Sequence, residues 1–72
     1  MTLDEIKTGG SAVVGAVRGD GAMRLRLLDM GIVPGTKIRV NRRAPTGDPI
    51  EVELRGYRLT LRHADAQTIV IR

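Results

Sequence analysis

The sequence predicts a mainly β domain, a small five-stranded barrel carrying one short helix between its first and second strands. Three observations lead there. Ile38 and Val40, Ile50, Val52 and Leu54, and Tyr57, Leu59 and Leu61 alternate with polar residues, the period of strands with one buried face. Glycine and proline punctuate the chain at Gly9-Gly10, Gly19-Asp20-Gly21, Pro34-Gly35 and Gly47-Asp48-Pro49, leaving only short segments between turns. A domain of 72 residues without cysteine has neither disulfides nor thiolate-bound metal to staple it. Closing five bent strands into a closed or nearly closed barrel then buries a core and removes exposed edges. With one tyrosine and no Phe or Trp, that core is aliphatic.

The elements follow in order. Thr2 and Glu5 have capping-box spacing, so residues 2–7 form a single helical turn that Gly9-Gly10 ends. Residues 11–18 make the first strand, with Gly15 marking a bulge. Asp20 is placed to cap the helix that follows. On that helix Met23, Leu27 and Met30 share a face, and Leu25 and Leu28 widen the apolar stripe. Gly31 stands where a helix terminus needs positive φ, and Pro34-Gly35 fits the two central positions of a type II turn. Three alternating strands come next, the last two joined by an Arg55-Gly56 hairpin turn, with all three of Tyr57, Leu59 and Leu61 facing inward. Residues 62–67 form a short helical turn, and residues 68–71 close the chain as the fifth strand.

Composition narrows function. The longest apolar runs, Ala12 to Val17 and Ile69 to Ile71, are too short to span a bilayer, so no direct membrane insertion is expected. The acidic start Thr2-Leu3-Asp4-Glu5 does not resemble a signal peptide, which points to the cytoplasm. Residues 1–36 carry four basic and four acidic side chains, and residues 37–72 carry eight basic and four acidic, so the net +4 lies in the second half. Much of it reads as a cross-strand ladder. Lys37 and Arg39, Glu51 and Glu53, and Arg58 and Arg62 project outward from successive strands, which leaves Arg42, Arg43, Arg55 and Arg72 unpaired.

Candidate chemistry is sparse. Gly31-Ile32-Val33-Pro34-Gly35-Thr36-Lys37 imitates a phosphate loop, but it has the wrong glycine spacing and leads into a strand, so the helix amides that cradle phosphate are absent. His63, the single histidine, has Asp65 two residues away, and on a helical turn the two do not share a face. Glu51 and Glu53 do share a strand face and could hold a hard cation, although pairing with Lys37, Arg39 and Arg58 accounts for them better. Glu51, Glu53, His63 and Asp65 are therefore weak metal candidates and no cofactor is expected. No nucleophile has a base and an orienting group, so an enzyme acting on a small-molecule substrate is not expected. A small basic barrel can bind nucleic acid, and Arg42, Arg43, Arg55 and Arg58 would serve it. Stacking of bases needs aromatics, of which only Tyr57 is available, and the interleaved glutamates oppose phosphates.

The chain resembles the FeoA family of bacterial ferrous iron uptake. The resemblance is carried by Leu27-Leu28-Asp29-Met30-Gly31-Ile32-Val33-Pro34-Gly35, Ala44-Pro45-Thr46-Gly47-Asp48-Pro49, Arg55-Gly56-Tyr57-Arg58-Leu59-Thr60-Leu61-Arg62, Ala66 and Ile69-Val70-Ile71. Met30 departs from the leucine more usual in the family. The resemblance implies an SH3-like barrel over residues 1–72 and an accessory role toward FeoB, a membrane transporter with a cytosolic GTP-binding domain. The same fold and motif occur as the C-terminal domain of iron-dependent transcriptional repressors, which would require a preceding DNA-binding domain. A wide apolar stripe on a helix over a barrel mouth suggests a docking surface at Met23, Arg24, Leu27 and Leu28. The alternative is that these apolar positions are core.

Overall fold

The computed structural model describes all 72 residues, and its strands form where apolar residues alternate. Their buried members are Val14 and Val17 on β1 (Ser11–Val17), Ile38 and Val40 on β2 (Lys37–Arg43), Ile50, Val52 and Leu54 on β3 (Ile50–Leu54), Leu61 on β4 (Tyr57–Leu61), and Ile69 and Ile71 on β5 (Ile69–Ile71). A 3-10 turn at Leu3–Glu5 precedes β1, helix α1 (Gly21–Asp29) lies between β1 and β2, and a helical turn α2 (His63–Ala66) joins β4 to β5. The first and last strands are each one residue shorter than expected.

The strands form one antiparallel sheet in the order β4-β3-β2-β1-β5. It is not closed into a barrel, which corrects the expectation: β4 and β5 are edges and do not pair. Curvature comes instead from register shifts between Val14 and Ala16 on β1, where Gly15 was expected to bulge, and between Val40 and Arg42 on β2. The outer side of β5 is covered by the N-terminus, through a bridge from Thr2 to Val70 and the Ile71 N–H, which donates to the Met1 carbonyl at 2.9 Å. No corresponding segment covers β4. The core is aliphatic throughout, with Leu3, Leu27 and Ile32 added to the strand residues.

Local rules explain how α1 is held. Its end is a Schellman motif: the Ile32 N–H donates to the Leu27 carbonyl at 3.1 Å and the Gly31 N–H to that of Leu28 at 3.0 Å, with Gly31 at φ 93°. Leu27 and Ile32, the positions whose apolar side chains accompany such a motif, are both completely buried in the core. The Thr36 N–H then donates to the Val33 carbonyl at 3.1 Å, closing the Pro34-Gly35 turn. Arg55 and Gly56, at φ 49° and 83°, make the hairpin turn joining β3 to β4.

Three local expectations need correction. Asp20 occupies the N-cap position of α1, but its side chain makes no capping bond. Leu25 does not widen the buried stripe; it is 59% exposed, because it stands two residues, about 200°, from both Met23 and Leu27. Tyr57 is 40% exposed rather than inward-facing. It opens the edge strand beyond the core, and its hydroxyl donates to the carbonyl of Met30. An aromatic with a polar tip thereby joins the hairpin to the end of α1.

Candidate functional site

Helix α1 and the loop at its start form the first candidate surface. Arg24, Leu25 and Arg26 face solvent, Met23 is half-buried against Gly19, and Leu28 is half-buried against the core. Leu27 is completely buried and cannot touch a partner, so of the four expected docking residues it belongs to the core. Arg24 is exposed, but its Nε donates to the Val17 carbonyl at 3.0 Å, which fixes the guanidinium over the end of β1. Leu25 is the residue that the apolar-stripe reading misplaced, and the helical period alone puts it on the solvent side.

Between α1, α2 and the end of β4 runs a depression in two adjoining parts of about 420 and 300 Å³. Arg26, Arg62 and Asp65 line both parts. Asp65 is buried at its floor, 3.7 Å from the Arg26 guanidinium. His63 does not meet Asp65; its Nε2 lies 3.4 Å from the Asp4 carboxylate and its N–H donates to Asp48 at 3.0 Å.

One row of the expected ladder is present, Arg39 opposite Glu53 and Glu53 opposite Arg58, but Lys37 lies opposite Val13, Arg62 falls beyond β4, and Glu51 stands opposite Arg42 and Thr60. Its chemistry differs from the prediction. Asn41, at the β2 bulge, donates its amide to Glu53 at 3.1 Å and to Glu51 at 3.4 Å. Burial pushes the Glu51 carboxyl up, but the hydrogen bonds from Asn41 and Arg42 and the charges of Arg42 and Arg58 outweigh it and hold Glu51 below its ordinary value. Both glutamates thus accept from N–H donors on β2, Glu53 from Asn41 and Glu51 from Asn41 and Arg42. The four weak metal candidates are scattered, and no group of three or more His, Cys, Asp or Glu side chains is placed to hold a metal ion.

Of the four arginines expected to contact an anion, Arg42, Arg43, Arg55 and Arg58, three have partners within the chain. Arg42 pairs with Glu51 at 3.1 Å. Arg43 donates to the carbonyls of Ile6 and Asp4 at 2.6 and 2.8 Å. Arg55 donates to the Thr36 hydroxyl at 3.3 Å, and that hydroxyl donates to the Gly31 carbonyl at 3.3 Å. Only Arg58 of the four has no hydrogen-bond or ion-pair partner within the chain. A depression of about 380 Å³ is lined by Arg42, Arg43 and Glu51 beside the Ala44–Pro49 loop, where Arg42 meets Glu51 and Arg43 meets the N-terminal turn.

A curved five-stranded antiparallel sheet with a nine-residue helix between its first two strands defines a small, mainly β domain. The FeoA domain profile matches residues 1–72. A FeoA protein from Chlorobium tepidum is 46% identical with a TM-score of 0.92, over 100% of this chain and 69% of that one. FeoA from Stenotrophomonas maltophilia, an SH3 domain protein solved in complex with zinc, is 33% identical with a TM-score of 0.88, over 100% of this chain and 89% of that one. A protein of Porphyromonas gingivalis that fuses Fe(2+) transport protein A to the Fe(2+) transporter FeoB is 41% identical over 99% of this chain. This chain spans only 8% of that curated relative's length. The chain belongs to the FeoA family, an SH3-like, non-enzymatic family linked to ferrous iron transport. No helix is long and apolar enough to cross a membrane.

Proposed function

We propose that this domain serves ferrous iron uptake by binding the cytosolic part of a FeoB-type transporter. The observation that carries the reading is the Porphyromonas gingivalis relative, in which the two functions share one polypeptide. Fusion keeps a pair at high effective concentration, an arrangement suited to partners that act together. The Stenotrophomonas maltophilia relative is advanced as a candidate activating factor for bacterial ferrous iron transport, which agrees with an accessory role.

The docking face is the outward side of α1. Arg24 and the uncovered rim of Leu28 belong to this face, Leu25 replaces Leu27 as its apolar centre, and Met23 lies on the opposite, inward side with Leu27. An exposed leucine flanked by Arg24 and Arg26 suits a partner surface with an apolar pocket inside an acidic border. The test is binding of the purified cytosolic domain of FeoB to the wild type and to Arg24→Glu with Leu25→Ser. The double variant is expected to stay folded, with its denaturation midpoint lowered by loss of the Arg24–Val17 hydrogen bond, and to lose at least about tenfold in affinity. Equal binding by a folded double variant overturns the placement on α1. No binding by the wild type overturns the choice of partner.

A further inference from the structure

We infer that the free edge of β4 is a strand-addition site for an acidic, extended peptide segment of a partner protein. This is a surface separate from the outward face of α1. In the sheet order β4 and β5 are the two edges. The β5 edge is already occupied by Met1 and Thr2. The β4 edge has no cover, and four of its first strand positions, Tyr57, Arg58, Leu59 and Thr60, are exposed or half-buried.

Register identifies the open backbone groups. The two-residue turn at Arg55-Gly56 makes Leu54 and Tyr57 the hydrogen-bonded pair that closes the hairpin. Alternation then turns the N–H and C=O of Arg58 and Thr60 away from β3. Neither residue's backbone bonds to any loop, cap or side chain elsewhere in the chain. Two donors and two acceptors at strand spacing therefore face outward, the template that a further strand needs.

The charge pattern selects the occupant. The row Arg39, Glu53, Arg58 runs in register across β2, β3 and β4 and alternates in sign. It ends on Arg58, a guanidinium with no carboxylate within ion-pair distance. Thr60 borders depressions on both sides, and Arg62, whose guanidinium has no partner within the chain, lines one of them. Of the acidic groups facing this edge, Asp65 is paired with Arg26, Glu51 with Arg42, and Glu53 accepts from Asn41. The next strand in the row thus meets a basic margin, and a carboxylate opposite Arg58 continues the alternation. Basic residues on an edge also discourage pairing between copies of this chain, which leaves an acidic segment as the favoured guest.

The experiment uses the full chain and a short peptide of alternating glutamate and valine, followed by amide chemical shifts and hydrogen exchange. The expected result is shifts and slowed exchange centred on the Arg58 and Thr60 amides. The lysine–valine counterpart should bind at least about tenfold more weakly, and so should a backbone N-methylated glutamate–valine peptide. Arg58→Glu with Arg62→Glu should reverse the preference between the acidic and basic peptides while keeping the strand signature. Shifts confined to α1, equal binding by the N-methylated peptide, or no response up to about 1 mM peptide each overturn the assignment.

Discussion

The guanidinium of Arg43, at the end of β2, donates to the backbone carbonyl of Ile6 at 2.6 Å, and also reaches Asp4 at 2.8 Å. One side chain thereby closes two orphan carbonyls of the N-terminal 3-10 turn and holds that turn against the sheet. Arg43→Ala should cost about 2 kcal/mol, the scale of hydrogen bonds from a charged donor, read from urea denaturation. Arg43→Lys should recover part of the loss, since an ammonium keeps donors without the fork. A stable Arg43→Ala protein that loses affinity for RNA or DNA would instead revive the anion patch.

Gly31→Ala should destabilise for two separable reasons. The backbone there stands at φ 93°, and a Cβ would lie 3.0 Å from the Tyr57 hydroxyl. The left-handed conformation costs about 1 kcal/mol for alanine, and the close contact adds to it. In a Tyr57→Phe background the contact term should vanish while the backbone term stays. A double-mutant cycle on denaturation midpoints therefore gives a non-zero coupling between these positions.

Leu27 and Leu25 should behave oppositely although two residues apart. Leu27→Ala opens a cavity in the core and should cost about 2–5 kcal/mol, a large part of the stability of so small a domain. Leu25→Ser, at an exposed site, should stay within about 0.5 kcal/mol of the wild type. Thermal melts of the two variants distinguish the core from the docking face before any partner is added.

Acid should weaken the fold through two carboxylates. The Thr2 backbone N–H and then its hydroxyl hold Glu5 below the ordinary value of 4.5, and Glu51 is lowered as described. Both are depressed in the folded state, so between the folded and unfolded pKa the unfolded chain binds more protons. Their contribution is fully present above about pH 5 and is lost as pH falls through the folded values. Denaturation midpoints of Glu5→Gln and Glu51→Gln should show a flatter acid limb than the wild type.

Features governed by neighbours along the chain were legible in the sequence. The Schellman end at Leu27–Ile32, the hairpin turn at Arg55-Gly56 and the bulge at Gly15 each follow from what a few consecutive residues permit. The inward faces of β2 and β3 follow from alternation alone. The features that escaped depend on distant partners. Tyr57 alternates as a core residue, yet the carbonyl that takes its hydroxyl is on Met30, in another element. Arg43 is one more strand arginine until the N-terminal turn folds onto it. Asn41 carries no sign in sequence that its amide will join two glutamates on the next strand. Closure of the barrel failed as a prediction because alternation sets which face is buried, not whether the first and last edges meet. Of the expected docking site, Met23, Arg24 and Leu28 remain at the surface, and Leu27 is lost to the core by the close packing that its own helix terminus requires.

The bond from Ile71 to Met1 means that the two ends of the domain leave from one corner. A unit whose entry and exit coincide behaves as a cassette: it can be joined to, or set within, a longer polypeptide without its strands being reordered. The Ala44–Pro49 loop is then the natural place to open a head-to-tail cyclised form.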